Sequence, residues 1–318
     1  MDCNAEIDRV VGEFLNRRYL LDMGRNKLAR YLKTEVENIL IAKKIVKKTI
    51  NYGYINPVNE PRLPKILIID IETAPLRAYI WSRWKQNIYL DQTLSEWFML
   101  TWSAKWLFSP DVMSDRLNAE EVFCENDGRI VTSLWHLLNE ADILVAHNGD
   151  AFDVPKINSR LILNGLPPAT PYQTIDTKKI SAKQFGFSSN KLDALAGYFG
   201  FKVKLDTDFK LWSECMKGNE QSLAYMEEYN RHDVELLEEV YLKLRPWMNA
   251  HPNVALYVES DKPLCTHCGS DHLTYVANYY TQTGKFETYR CECGALNRMR
   301  KSVVSKDVSK SLMISTAR

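Results

Sequence analysis

The chain has 318 residues, 45% hydrophobic and 25% charged, with a net charge of +1; this globular composition excludes a mostly disordered chain and allows two or three domains. No apolar run is long and charge-free enough to cross a bilayer. The acidic start MDCNAEIDRVVGEF lacks the basic-then-apolar layout of a signal peptide, so a soluble, cytoplasmic protein with no membrane partner is expected. Charge is unevenly spread: residues 1–56 and 261–318 each carry +4, and 57–260 carry −7. Basic ends around an acidic centre fit a grip on nucleic acid around a metal-charged site; solvated surface charge explains them as well.

Residues 5–50 hold no proline and are rich in helix formers. Val10, Val11, Phe14 and Leu15 recur at helical spacing, and a turn at Asp22 and Gly24 precedes a short helix over 26–32. Thr34 and Glu37 make a capping box for a helix over 35–48, with Lys43, Lys44, Lys47 and Lys48 near its end. This pattern predicts a helix-turn-helix-like domain over 1–56 whose Lys43 and Lys44 touch nucleic acid, or else a small bundle whose lysines suit a helix C-terminus. Three prolines between 51 and 64 mark a linker.

From Ile66 the texture changes. The run Lys65-Ile-Leu-Ile-Ile-Asp-Ile-Glu72 is short, apolar and β-branched, which predicts a buried strand. Further strands are expected within 95–108, over 143–147 and over 172–177. Helices are expected at 134–138, 155–164 (ended by Gly165), 192–199 and 223–244. Strands alternating with helices over 57–260 indicate an α/β domain with a central sheet. Cysteine pairs then bracket two short strands over 273–280 and 286–290, giving a small metal ribbon over 261–302, with a flexible polar tail over 303–318.

Three elements of the α/β segment carry acids. Asp70 and Glu72 are two apart on a strand, so both project from one face. Two carboxylates on a buried strand repel and cost desolvation, and a divalent cation offsets both. His147-Asn-Gly-Asp-Ala-Phe-Asp153 follows a strand and opens a helix, at the sheet end where α/β folds place ligands. Tyr229 and Asp233 are four apart on a helix and share a face. Each element alone also reads as ordinary capping or amphipathic structure.

Together, Ile69-Asp-Ile-Glu72, His147-Asn-Gly-x-x-Phe-Asp153 and Tyr229-x-x-x-Asp233 resemble the three motifs of the DnaQ-like (DEDD) 3′–5′ exonucleases, in the DEDDy branch. The second motif, with Pro155 and Arg160 following, is most similar to the proofreading domain of family B DNA polymerases. The chain leaves no room for a polymerase palm and fingers, and so resembles the free-standing exonucleases of bacteriophages, which would act in the host cytoplasm. The resemblance implies a ribonuclease-H-like mixed five-stranded sheet with helices on both sides. It also implies catalysis by Asp70, Glu72, Asp153, Tyr229 and Asp233, with two Mg²⁺ (or Mn²⁺) held by the four acids and Tyr229 orienting the attacking water. Asn148, Phe152 and Lys191 are then expected to contact nucleic acid, and Asp176 to support the acids from behind. The implied partner is DNA, single-stranded or at a 3′ end, with a separate DNA polymerase or replisome protein as a further one.

Seven cysteines include Cys265-x2-Cys268 and Cys291-x-Cys293, the spacing of one structural Zn²⁺ site in a reducing compartment. Gly269 and Gly294 each follow a pair, as tight knuckle turns require. His267 or His272 offers an alternative ligand. Arg298 and Arg300 beside the ribbon are candidate nucleic-acid contacts, although the ribbon equally suits a protein partner. Five of eight tryptophans fall between Trp81 and Trp106, interleaved with Arg83 and Lys85, as base-stacking or as core material. The leading reading is a metal-dependent 3′–5′ exodeoxyribonuclease. An exoribonuclease and a DNA-binding adaptor with a vestigial nuclease core are the alternatives.

Overall fold

The computed structural model describes residues 62–201 and 207–316, with scattered positions between 29 and 43. The chain divides into two compact units, 1–60 and 61–318. In the first, residues 29, 30, 32, 36, 39, 40 and 43 are helical, and Ala29, Leu32 and Ile39 are buried. The rest of the expected helix-turn-helix lies outside the described residues, Lys44 included.

The second unit opens with β1 (Ile66–Thr73), a small hairpin of β2 (Arg77–Ala78) and β3 (Thr93–Ser95), then β4 (Met99–Trp106) and β5 (Met113–Arg116). Helices α1 (Ala119–Phe123) and α2 (Gly128–Leu138) lead to β6 (Ile143–Ala146), α3 (Asp153–Leu163), β7 (Gln173–Asp176) and α4 (Thr177–Gln184). Then come α5 (Leu192–Phe199), α6 (Phe209–Cys215) and the 25-residue α7 (Glu220–Leu244). The central sheet has the order β5-β4-β1-β6-β7. It is mixed: β1 pairs antiparallel with β4 and parallel with β6, β4 with β5 antiparallel, β6 with β7 parallel.

The period-two alternation of β1 sorts its side chains between two cores. Leu67, Ile69 and Ile71 pack with Ile130, Leu134 and Leu138 of α2 and Ile157 and Leu161 of α3. Ile66 and Ile68 pack with Leu195 of α5 and Val234, Leu237 and Val240 of α7. Asp70 and Glu72 continue the second row, so they emerge on the face that α7 covers. Burial of the Ile, Leu and Val side chains supplies roughly 1.5–3 kcal/mol each, and that apolar drive seats α7 against β1. Polar pins fix its register: Lys105 of β4 pairs with Glu238, and Arg231 donates from Nη1 to the Val112 carbonyl at 2.8 Å and to Ser114 Oγ at 2.9 Å.

The other face holds a buried ion pair. Asp127 has no solvent exposure. Its carboxylate accepts from Arg160 Nε at 2.6 Å, Arg160 Nη2 at 2.7 Å, Asn164 Nδ2 at 3.1 Å and the Met99 amide at 2.9 Å. This ties α2, α3 and β4 together. Removing one partner strands a buried charge, so Arg160→Met is expected to cost about 3–5 kcal/mol of unfolding free energy. Urea denaturation checks it, and a loss below about 1 kcal/mol would show the pair to be dispensable.

Beyond the α/β core, β8 (Leu273–Tyr280), β9 (Lys285–Cys291) and β10 (Leu296–Arg298) form an antiparallel sheet ordered β10-β9-β8. It is joined to the core by the Val254 amide donating to the Thr266 carbonyl at 2.8 Å and by His267 Nε2, 2.7 Å from the Met248 carbonyl. The expected tail carries one short exposed helix, α8 (Lys306–Ser311). Among the described residues no helix is long and apolar enough to cross a membrane.

Candidate active site and metal centres

Three carboxylates converge at the C-terminal end of β1. Asp70, Glu72 and Asp233 each offer an oxygen within 4.8 Å of the others. Two come from one strand face and the third from the helix packed on it, so the alternation of β1 and the seating of α7 together assemble the cluster. Asp233 is 3% exposed. Like charges this close, this far from water, repel strongly. A cation with oxygen-only preference relieves both the repulsion and the lost solvation, which is the fit expected for Mg²⁺ or Mn²⁺.

Asn230, fully buried beside Tyr229, donates from Nδ2 to Asp70 Oδ2 at 2.6 Å. This bond fixes the Asp70 rotamer from across the sheet–helix interface. Its own Oδ1 is buried and bonds to nothing among the described residues.

Asp153 lies apart from the three-carboxylate cluster. It is 1% exposed, at the start of α3, and Oδ1 accepts from the Ile71 amide at 3.3 Å, between the two β1 acids in sequence. Burial pushes its carboxyl up to about 7, with the negative charge of Asp176 adding to the rise. A nearby cation would reverse that bias toward the ionised form.

The loop that delivers Asp153 is held by Asp176. This carboxylate, 5% exposed, accepts from the amides of Asn148 (3.0 Å), Asp150 (3.4 Å), Lys178 (3.0 Å) and Lys179 (3.2 Å). It therefore caps α4 and clamps the loop after β6, and its contacts run to backbone amides rather than to the other acids. His147 is braced between Thr177 Oγ1 at 2.9 Å and the Asn190 carbonyl at 3.0 Å. At Gly149 a Cβ would meet Ala146 Cβ at 2.4 Å. Gly149→Ala is thus expected to cost about 1–3 kcal/mol by overpacking and to displace Asp153 with the loop. Thermal melts and divalent-ion affinity check it; unchanged values for both would contradict the account.

Tyr229 is 4% exposed, one turn before Asp233, with its ring edge-on to Trp212 (centroids 6.3 Å apart, 75° between planes). Trp212 also lines a cleft of about 600 Å³ with Thr73, Leu76, Trp97, Lys156 and Phe209. The Lys156 ammonium sits 3.6 Å from the Trp97 ring centroid and 5.1 Å from that of Phe152. Burial lowers the Lys156 pKa.

The other expected contacts are dispersed. Asn148, with a left-handed backbone (φ 70°), is committed to its loop, and its Oδ1 accepts from Lys178 Nζ at 3.3 Å. Lys191 is exposed just before α5. Arg298 is exposed, with its guanidinium 4.4 Å from the Phe286 centroid and 5.5 Å from that of Tyr279; Arg300 is exposed. Lys43 is half-buried in the N-terminal unit. Asn230, Lys156 and Trp212 were not expected from sequence. Asn230 had a signal, being three before Asp233 on a helix face that must be buried; the other two had none.

The four ribbon cysteines also converge, with every Sγ within 4.8 Å of the rest. Cys265 and Cys293 sulfurs are 3.7 Å apart, and those of Cys268 and Cys291 3.5 Å. Tetrahedral bonds of about 2.3 Å to zinc place sulfurs about 3.8 Å apart, so the donor set fits. Gly269 and Gly294 have φ of +77° and +91°, the left-handed turns that the knuckles need. Burial opposes ionisation of Cys265, but hydrogen bonds from His267, Cys268 and Asn297 outweigh it and lower its pKa to about 5; burial raises those of Cys268 and Cys293. Neither histidine competes: His267 Nδ1 is 2.9 Å from Thr266 Oγ1 and Nε2 meets Met248, while His272 Nδ1 is 2.9 Å from Glu292 Oε2.

Residues 111–245, which include Asp153, Tyr229 and Asp233, match the family model RNase_H_2 of the RNase_H superfamily. The fold is ribonuclease-H-like. Among solved structures the chain is similar to the family B DNA polymerase from the hyperthermophilic archaeon Pyrobaculum calidifontis, at 16% identity and a TM-score of 0.42, over 63% of this chain and 28% of that one. The chain thus spans little more than a quarter of that polymerase's length. No curated protein matches it.

Proposed function

We propose that the protein is a metal-dependent 3′–5′ exonuclease that hydrolyses DNA phosphodiesters at single-stranded or frayed 3′ ends, in replication or repair. The observation that carries this reading is the convergence of Asp70, Glu72 and Asp233 from β1 and α7, with Tyr229 one turn away on the same helix. In this reading these three acids and Asp153 hold two Mg²⁺ or Mn²⁺ ions. When bound, such ions neutralise charge on the attacking and leaving oxygens of an in-line displacement.

The chain's own residues do the positioning. Asn230 keeps Asp70 turned toward Asp233. Tyr229 orients the attacking water by a hydrogen bond, since a phenol of pKa near 10 is a poor base at neutral pH. Asp176 fixes the loop that carries Asp153. The ribbon cysteines hold a structural Zn²⁺, because four protein sulfurs leave no open position for substrate.

Digestion of DNA and RNA oligonucleotides of one sequence, labelled separately at either end, tests the reading. The expected result is Mg²⁺-dependent release of mononucleotides from the 3′ end of DNA. Faster digestion of RNA would make the protein an exoribonuclease, and tight binding without hydrolysis would make it an adaptor.

A further inference from the structure

Residues 79–90 form an arm between β2 and β3, and every one of them is exposed. Trp81 is 93% and Trp84 82% exposed, joined by Tyr79 at 71% and Tyr89 at 66%. A soluble protein gains nothing by presenting this much aromatic surface to water unless something covers it. The arm is also built. Its base is closed by the pairs Arg77↔Ser95 and Ala78↔Thr93 and by the Tyr79 amide donating to the Gln92 carbonyl at 2.9 Å. Its tip is held by Ser82 Oγ donating to the Trp84 carbonyl at 3.0 Å and by Gln86 Nε2 donating to Ser82 Oγ at 2.6 Å. Both tryptophans therefore sit on a fixed turn, three residues apart.

Charge and position select the occupant. Between Ala78 and Leu90 the only charged residues are Arg83 and Lys85, interleaved with the tryptophans, and no acid occurs. The hairpin that carries the arm begins at Arg77, four residues after Thr73, the last residue of β1, whose Glu72 belongs to the acid cluster. The residues between them, Ala74, Pro75 and Leu76, line the cleft that holds Trp97, Lys156 and Trp212. Along the chain, the acid strand, the cleft lining and the arm's hairpin therefore follow one another directly.

We infer that the arm binds single-stranded nucleic acid upstream of the reacting end, with Trp81 and Trp84 stacking on successive unpaired bases and Arg83 and Lys85 meeting the phosphates. Every base has a π-face, so such a grip is indifferent to sequence, and a paired base offers no free face to stack on. The inference rests on the nuclease reading for its direction, but binding can be measured without catalysis.

The test uses the full chain, without added Mg²⁺ or Mn²⁺, and a fluorescein-labelled oligothymidylate followed by anisotropy. Trp81→Ala and Trp84→Ala are each expected to weaken binding about fivefold or more. The double Arg83→Ser, Lys85→Ser variant is expected to reduce the slope of log K against log salt by about 1.4, at about 0.7 per cation on a single strand. With Mg²⁺, the tryptophan variants should raise KM for a long strand more than for a dinucleotide. Unaltered oligonucleotide affinity in both tryptophan variants would overturn the inference. So would loss of self-association or of a protein contact with no change in oligonucleotide affinity, which would mark the arm as a protein-docking surface. Wild-type binding with no hydrolysis of any strand would sink the nuclease reading and leave the arm's role standing.

Discussion

Asp233→Asn is expected to lower divalent-ion-dependent nucleotide release by at least about 10³-fold, and at the same time to raise the melting temperature of the ion-free protein. The two effects share one cause. Asp233 is nearly inaccessible and lies within 4.8 Å of two other carboxylates. Without a cation, its charge is both desolvated and repelled, and the amide isostere removes that cost. With a cation, the same charge is what holds it, and loss of one ligand forfeits several kcal/mol of transition-state stabilisation; about 4 kcal/mol corresponds to 10³ in rate. The wild-type protein should also gain stability with added Mn²⁺, as any ligand of the native state confers, and the variant should gain much less. Steady-state rates and melts with and without Mn²⁺ check all three. Activity within about tenfold of wild type would show that Asp233 is a structural acid.

Cys265→Ser is expected to have the second-largest effect, on folding rather than on chemistry. A four-thiolate zinc site contributes apparent binding free energy on the order of 10 kcal/mol that is realised only in the folded ribbon. The ribbon has little else: among the described residues its buried apolar cluster is Cys265, Cys291 and Ala295, with Cys268, Leu273 and Cys293 against it. Its sheet face from Tyr275 to Tyr280 is largely exposed. The variant should lose stoichiometric zinc and expose residues 261–302 to proteolysis, while the acid cluster, on β1 and α7, keeps its divalent-ion affinity. Elemental analysis and limited proteolysis decide it. A fully folded, protease-resistant, zinc-free ribbon would contradict the zinc assignment.

The elements that the sequence made legible are those with a strong local cause. β1 was readable from a β-branched run, and its two acids from their spacing, because a strand's alternation is independent of tertiary context. Helix α5 and strand β8 occur over the expected residues, 192–199 and 273–280. Helix α2 begins six residues before the stretch expected from Leu134, and its buried Ile130, Val131, Leu134 and Leu138 do recur at helical spacing, so that signal was present in the sequence. The β2–β3 arm was not expected as a hairpin at all. Its apolar residues follow no period and are exposed, so periodicity had no purchase on it.

The site was partly legible for the same reason. Motif spacing pointed to five residues, and the structure gathers three of the four acids into one cluster. Asp153 stands outside that cluster, bonded to the Ile71 amide, a contact that depends on how α3 meets the end of β1. The bond from Asn230 to Asp70 spans 160 residues of sequence and exists only because α7 packs on β1. No local rule reports such a contact. The convergence of the four cysteines, by contrast, was legible from spacing and two glycines, since knuckle geometry is local.

The convergence of Asp70, Glu72 and Asp233 on a divalent cation is tested most directly by crystals soaked in Mn²⁺ and measured for anomalous scattering at the manganese edge. The expected result is at least one strong peak ligated by oxygens of all three residues, absent in the Asp233→Asn variant. A map with no manganese at those oxygens, from a protein that still degrades DNA in the same Mn²⁺ buffer, would show that hydrolysis happens elsewhere.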